Sequence, residues 1–470
     1  MKLEELRLQL AETISGTPFE GKTYFTGGCV RDYLLSLSDA VSKERQYVEQ
    51  STQDVDIAVE FPDGGVLLSH FLHQRLGTSH PTVYNTFGTA STILRGLRLE
   101  LVMTRKESYR ARNRKPSVLA GDLLDDAKRR DFTVNAIYIN ISDGALFDPT
   151  QRGFEDLKNG VIRSVRDPGG VFEEDPLRLL RAIRFAVQLD FSIDEETLAA
   201  ICASHASIKD ISEERIAEEF CKIISLPDIE AAISGIELMR ETGILTQILP
   251  ELQALVGLAQ NHFHHLDAYY HTLEVLRKTG NIPNLRLAAL LHDVGKAQTL
   301  TLSDKGNIHF YYHHSVGAHL AREILKRFHI RKADAVNIAF AIEKHMVFKQ
   351  GGEKGEKLKD STLRRYMEHG DDKLELLLGL IHADNLSHHP DHCLPDQIPA
   401  LRRRIGLLKE VMQRFILTGR DLMEEFAISE GSIIGEMLKI AKERWFENPE
   451  WGKQELLDML RREFFPGVEG

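Results

Sequence analysis

The chain has no apolar run long enough to cross a bilayer. Its longest, Leu376–Ile381 and Leu287–Leu291, fall far short of the about 20 residues a spanning helix needs. Cysteine is scarce: Cys29, Cys202, Cys221 and Cys393 are scattered, with no C-x-x-C pair. That argues against a zinc ribbon or a disulfide framework and fits reduced cytoplasmic thiols. The start, Met1-Lys2-Leu3-Glu4-Glu5, is acidic and amphipathic and does not read as a secretory signal. There is no internal repeat and no long low-complexity segment. What remains is a chain of 470 residues, 42% hydrophobic and 27% charged. Such a chain is expected to be globular, cytoplasmic, off the membrane and divided into about three domains.

A positive overall balance is also lacking. The net charge of −11 is awkward for a protein that grips nucleic acid, but clustering matters more than the total. Between Arg105 and Lys115 lie six basic residues and one acid. Arg129-Arg130, the helix carrying Arg178, Arg181 and Arg184, and Arg402–Arg404 add patches, the last read as a solvated helix face.

Up to about residue 150, short β-branched or aromatic runs alternate with helical ones. Asp54–Glu60, Ser91–Arg95, Leu97–Thr104 and Asn135–Asn140 read as strands of a mixed sheet. From about 170 nearly every segment has helical period, as in Leu177–Leu189, Ile216–Ile224, Leu273–Leu276, Leu285–Leu291 and Leu320–Phe328. The expected fold class is α+β, with a head at 1–150, a helical neck at 151–255, a histidine-rich domain at 256–400 and a helical tail at 401–470. The Gly-rich stretch 351–357 reads as a mobile loop.

Near the N-terminus, Tyr24-Phe25-Thr26-Gly27-Gly28-Cys29-Val30-Arg31-Asp32 is an apolar run, a Gly-Gly turn and a helix-like stretch. Such a junction aims free backbone N–H groups at an anion. Asp54 and Asp56 lie two apart in a strand, so their carboxylates share a face while Val55, Ile57 and Val59 point into a core. Paired carboxylates facing a phosphate cradle suit two divalent metals clamping a nucleoside triphosphate.

Downstream come Arg129-Arg130-Asp131-Phe132-Thr133-Val134-Asn135-Ala136 and Glu174-Asp175-Pro176-Leu177-Arg178-Leu179-Leu180-Arg181. Asp before Pro is a helix N-cap signature. Asp175 therefore either caps a helix or, with Arg178 and Arg181 near the same face, offers a base edge acceptors and donors.

These four segments, in this order, resemble class II tRNA nucleotidyltransferases (CCA-adding enzymes) and their relatives the bacterial poly(A) polymerases. The resemblance covers about residues 20–230. It implies a polymerase-β-like head in which Gly27, Gly28 and Arg31 hold the triphosphate, Asp32 supports the turn, and Asp54 and Asp56 bind Mg²⁺. It further implies that Asp131 and Asn135 recognise the ribose with Arg130 nearby. Asp175 and Arg178 would pair with the Watson–Crick edge of CTP or ATP, supported by Glu174 and Arg181. Ser212–Glu218 matches the helix taken to brace the neck, and Glu100 is a candidate third acid near the metals or a solvent-facing edge residue.

Adjacent His292-Asp293 inside an apolar run would be costly to bury unpaired. Imidazole and carboxylate without cysteine suit a divalent metal doing hydrolysis. This region resembles the HD phosphohydrolase superfamily, which implies a core metal site of His271, His292, Asp293 and Asp384. His313 and His345 match the extra ligands of dinuclear members. His262, His264, His265, His314, His388, His389 and His392 match none and read as surface or supporting residues.

The expected function is template-independent addition of CCA to tRNA from CTP and ATP. A phosphohydrolase using Ni²⁺, Co²⁺ or Mn²⁺ is attached and expected to work without the head. No protein partner is inferable. The alternatives are a poly(A) polymerase, an A-only or CC-only enzyme, or an HD phosphohydrolase with a non-catalytic RNA-binding head. No long basic tail follows residue 400, which argues against the poly(A) polymerase.

Overall fold

The computed structural model describes residues 2–37, 54–84, 88–108, 117–260, 266–349, 351–448 and 450–466. His262, His264, His265 and positions 109–116 of the basic segment lie outside them.

The head is a seven-stranded mixed sheet. Its strands are β1 (Thr23–Thr26), β2 (Asp54–Val59), β3 (Thr82–Tyr84), β4 (Thr89–Leu94) and β5 (Leu97–Met103). A separate hairpin of β6 (Arg105–Ser108) and β7 (Ser117–Ala120) follows, and β8 (Tyr138–Asn140) and β9 (Leu146–Phe147) complete the sheet. The order is β3-β4-β5-β2-β1-β8-β9, with β2 and β5 parallel and the other neighbours antiparallel. Val55, Ile57 and Val59 are buried on one face of β2, as their alternation predicts, and join Phe25, Leu99 and Leu101 in the main core. On the face of Asp54 and Asp56, Ala58 packs in a smaller cluster with Tyr24, Ala127, Ala136 and Tyr138.

The predicted strands appear within a residue or two, except Asn135–Asn140. Thr133–Asn135 is a 3₁₀ turn and β8 begins at Tyr138. The side chain of Asn135 is tied to Arg31 and Asp131, which takes this residue out of the ladder. Beyond the head the helices fall where periodicity puts them. Leu177–Leu189 buries Leu179, Leu180, Ile183 and Ala186 as its inner stripe. Periodicity missed the hairpin Leu300–Leu302/Ile308–Phe310 within the helical body.

One continuous core runs from Leu6 to Leu408 through head, neck and histidine-rich region, and a second, from Leu417 to Leu460, belongs to the tail. The fully buried Arg286 joins neck to body. Its guanidinium donates to the carbonyls of Ile224 (2.8 Å), Leu226 (2.5 Å) and Gly280 (2.7 Å). The stretch 351–357, expected to be mobile, is pinned: Arg404 donates to the carbonyls of Gly355 and Leu358, and Gln397 to that of Gly352. Arg404 is thus a loop anchor where the sequence suggested only a solvated face.

Candidate active site and candidate metal centre

β1 ends at Thr26 and turns at Gly27, whose φ of +73° favours glycine, and the helix Gly28–Leu37 starts at once. In the antiparallel β1–β2 pair Thr26 faces Asp56, and in the parallel β2–β5 pair Glu100 faces Asp56. Asp54, Asp56 and Glu100 therefore gather on one face beside the helix N-terminus. Burial raises the carboxyl of Asp56, Arg130 opposes the rise, and the charge of Asp54 adds to it. Burial and then Asp56 raise Glu100. Among the described residues neither Asp54 nor Asp56 accepts a side-chain hydrogen bond or forms an ion pair. Two carboxylates left without partners in an arginine-rich site fit divalent cations. A cavity of about 170 Å³ opens here, lined by Thr26, Asp56, Val102, Arg129 and Arg130.

A chain of buried polar contacts leads from this face into the neck. Arg31 donates to Asp32 (2.8 Å) and to Asn135 Oδ1 (2.8 Å). Asn135 donates to Asp131 Oδ1 at 3.1 Å, and Arg181 reaches Asp131 Oδ2 through two N–H groups at 2.8 and 2.6 Å. Burial would raise Asp131, but Arg181 and Asn135 outweigh it and hold the carboxyl below the usual range. The guanidiniums of Arg31, Arg181 and Arg184 lie 5.0, 5.1 and 4.1 Å from the ring of Phe185, a shared cation–π platform. Buried Glu219 accepts from Arg184 at 2.7 Å. Arg130 is locked against buried Asp126 (3.1 Å) and the Tyr138 hydroxyl (3.1 Å), which itself donates to Asp126 at 2.8 Å.

Asp175 and Arg178 border one cavity of about 560 Å³, together with Arg105, Arg129, Ser212 and Arg215. Their side chains do not pair. Asp175 Oδ1 accepts the Leu177 N–H (3.2 Å) and Oδ2 the Arg215 guanidinium (2.9 Å). Arg178 donates to the carbonyls of Arg129 (2.6 Å) and Val171 (3.1 Å) and lies 3.4 Å from Glu174. The helix-capping reading of Asp175 therefore holds in this structure, beside its position on the cavity.

In the body, His271, His292 and Asp293 converge, and so do Asp293, His313 and His345, all buried. Asp384 Oδ1 lies 3.2 Å from His271 Nε2, so all six predicted residues meet. Backbone carbonyls of Ala289, Phe310 and Ile342 hold Nδ1 of His292, His313 and His345 at 2.7, 2.8 and 2.7 Å. This leaves each Nε2 facing inward, the usual support of metal-binding histidines. Burial and neighbouring histidines push His345 well below its ordinary range, and burial pushes His313 down to about 4. Both rings are thus neutral donors, and the set fits a divalent metal pair sharing Asp293. Sequence reading missed two cations here: Lys296 Nζ lies 2.6 Å from Asp293 and Lys349 Nζ 2.7 Å from Asp384. Both line the metal-centre cavity of about 160 Å³. Lys296 stands three residues after Asp293, a signal the sequence carried. His388, read as supporting, is 2.9 Å from Lys349 Nζ. Asp126, Phe185, Arg215 and Glu219 were also missed, being ordinary in type and placed only by the fold.

The chain matches the Poly A polymerase head domain over residues 23–163, the probable RNA- and SrmB-binding site of polymerase A over 190–255, and the HD domain over 268–388. It is 33% identical to an A-adding tRNA nucleotidyltransferase of Deinococcus radiodurans, over 69% of this chain and 76% of the relative. It is 32% identical to a multifunctional CCA protein of Neisseria meningitidis serogroup B, over 74% and 78%. The chain belongs to the tRNA nucleotidyltransferase and poly(A) polymerase family. Its fold is that of the Thermotoga maritima CCA-adding enzyme complexed with tRNA, with a TM-score of 0.62, 20% identity, and 98% of this chain and 95% of that one covered. Nucleotidyltransferase heads and HD domains of these families use divalent metals. No helix among the described residues is long and apolar enough to cross a membrane.

Proposed function

We propose that this chain is a cytoplasmic enzyme that adds CCA to tRNA 3′ ends from CTP and ATP, with an HD phosphohydrolase attached. The observation that carries the reading is the register placing Asp54, Asp56 and Glu100 on one face beside the Gly27-Gly28 turn. Asp54 and Asp56 would hold Mg²⁺, which when bound would supply charge neutralisation at the α-phosphate and lower the pKa of the attacking hydroxyl. Gly27, Gly28 and Arg31 hold the triphosphate, its oxygens facing the N–H groups of the helix Gly28–Leu37. The tRNA 3′ oxygen attacks the α-phosphate in line, and pyrophosphate leaves. Asp131 and Asn135, fixed by Arg31 and Arg181, orient the ribose, with Arg130 held beside them. Asp175 and Arg178 read the base edge once they exchange their present protein partners for the nucleotide, and Glu174 and Arg181 steady them.

In the body, His271, His292, Asp293 and Asp384 would hold one metal, and His313 and His345 with Asp293 a second, which would supply an activated water for hydrolysis. Ni²⁺, Co²⁺ and Mn²⁺ suit that set. Lys296 and Lys349 sit where a phosphate would carry its charge, which supports cleavage of 2′,3′-cyclic or 2′-phosphate nucleotides. The division is a head at 1–150, a neck at 151–255, an HD domain at 256–400 and a tail at 401–470. Incubation with tRNAs ending before, within and after CCA, supplied with CTP, ATP or both, tests the main reading. A poly(A) polymerase would use ATP alone, and a non-catalytic head neither nucleotide.

A further inference from the structure

The helices His313–Arg327 and Lys332–Lys344 form a hairpin that starts at His313 and leads back to His345, so the metal centre lies at its open end. Along this hairpin and the helix Asp371–Leu386 runs a groove of about 650 Å³. Arg322, Lys326, Lys332 and Lys373 line it, over a floor that includes Val336 and Phe340. Val336 is 49% exposed, and Lys373 Nζ stands 5.6 Å from the Phe340 ring. The one acid lining it, Glu343, is held by Arg322 at 3.1 Å and Lys344 at 2.7 Å. Among the described residues Lys326, Lys332 and Lys373 have no acid partner.

Three lysines without a described acid partner around an open apolar floor contribute little to the fold, and in a chain of net charge −11 they concentrate positive field where the rest repels polyanions. Thirteen residues of helix separate Lys326 from His313, about 20 Å, too far for this lysine to touch a phosphate at the metal centre. The lining also has no amide or hydroxyl side chain, and its one guanidinium, Arg322, is held by Glu343. It offers cations for phosphates and apolar surface for sugars, the sequence-blind contacts by which helical RNA is held.

We propose that this groove binds the ribose-phosphate backbone of the tRNA, away from the 3′ end undergoing addition. The proposal rests on the reading of tRNA as substrate. An enzyme that must accept every tRNA alike needs anchors of this kind, and here the HD region supplies one to the head.

The test is tRNA binding by the full chain carrying K326Q, K332Q and K373Q, measured without turnover across a salt series. Each lost phosphate contact removes roughly 0.7–0.9 from the slope of log K against log salt. The triple variant should show a slope shallower by roughly two and a Kd raised roughly tenfold or more at low salt. CTP KM and kcat at saturating tRNA should stay unchanged, and the K326R, K332R and K373R triple should bind as the parent does. A wild-type slope and Kd in the glutamine variant would overturn the proposal, including the case in which those lysines instead serve an acidic protein or a second copy of the chain. Failure of the unmodified enzyme to extend tRNA would sink the functional reading instead, and binding would still report on the groove.

Discussion

A β-carbon on Gly27 would lie 2.3 Å from Asp56 Oδ2. The turn and the carboxylate occupy adjoining space, so the residue must be glycine twice over, for its φ of +73° and for Asp56. Gly27→Ala should cost about 1–2 kcal/mol of stability through its left-handed backbone. It should lower nucleotide incorporation by roughly a hundredfold or more, since a displacement near 1 Å suffices for that. Thermal unfolding and single-turnover incorporation on the same protein check it, and unchanged turnover would refute the packing argument.

Asp175 invites a test that separates helix capping from the proposed base reading. It accepts the Leu177 N–H and the Arg215 guanidinium. Asp175→Ala should lose about 0.5–2 kcal/mol as a lost cap and also misincorporate UTP or GTP. Arg215→Ala leaves the cap bond in place, and an exposed ion pair contributes at most about 1 kcal/mol. If Arg215 orients Asp175 for base reading, this variant should lose discrimination with little change in melting. Unaltered discrimination in both variants would reduce Asp175 to a helix cap.

What the sequence disclosed, and what it withheld, follows from the range of each signal. The strand alternation around Asp54 and Asp56 and the helical stripe of Leu177–Leu189 are local, and both stand in the fold as read. The six histidine and aspartate residues of the body were named through the family resemblance, to which the adjacent pair His292-Asp293 pointed, and the fold brings them together. Lys296, Lys349, Glu219 and Phe185 are common residue types whose importance comes from contacts made across the chain, such as the three guanidiniums on Phe185. The partners of Asp175 were hidden for the same reason, since Arg215 lies 40 residues away.

The continuous core has a consequence for truncation. Arg286 satisfies the neck carbonyls of Ile224 and Leu226, and an unsatisfied buried group costs about 1–3 kcal/mol. Arg286→Met should therefore destabilise the chain by about 3 kcal/mol or more. A fragment of residues 256–400 should be insoluble or unfolded, against the expectation that the body works alone. Chemical denaturation and circular dichroism decide both, and a folded, metal-binding fragment would refute the coupling.

Acidification should weaken the metal-free protein over a defined window. Burial lowers His313 and His388 from an ordinary 6.5 to about 4. The unfolded chain takes up these protons first, so stability is full above about 6.5 and falls as pH drops toward 4. Melting of chelator-treated protein should decline across that range, and added Ni²⁺ or Mn²⁺ should raise the melting temperature at neutral pH. A flat profile between those values would contradict the burial of the two rings.

Addition of all three nucleotides by one chain separates it from single-nucleotide specialists, since an A-adding enzyme and a multifunctional CCA protein are 33% and 32% identical to it. The deciding feature is the basic segment from Thr104 to Pro116. Its stem is the hairpin of β6 and β7, and Arg105 at the start of that stem lines the same cavity as Asp175 and Arg178. If the segment serves the switch from CTP to ATP, its described stem already stands beside the cavity proposed to read the base. A tRNA lacking its last three nucleotides should therefore receive CCA when both nucleotides are supplied. Deleting residues 109–116 should leave addition of the two C residues and abolish addition of A, because the residues proposed to hold metal and triphosphate lie elsewhere. Failure of the parent chain to add the first C would make it an A-adding enzyme. Full CCA addition by the deletion variant would show that the segment merely grips RNA.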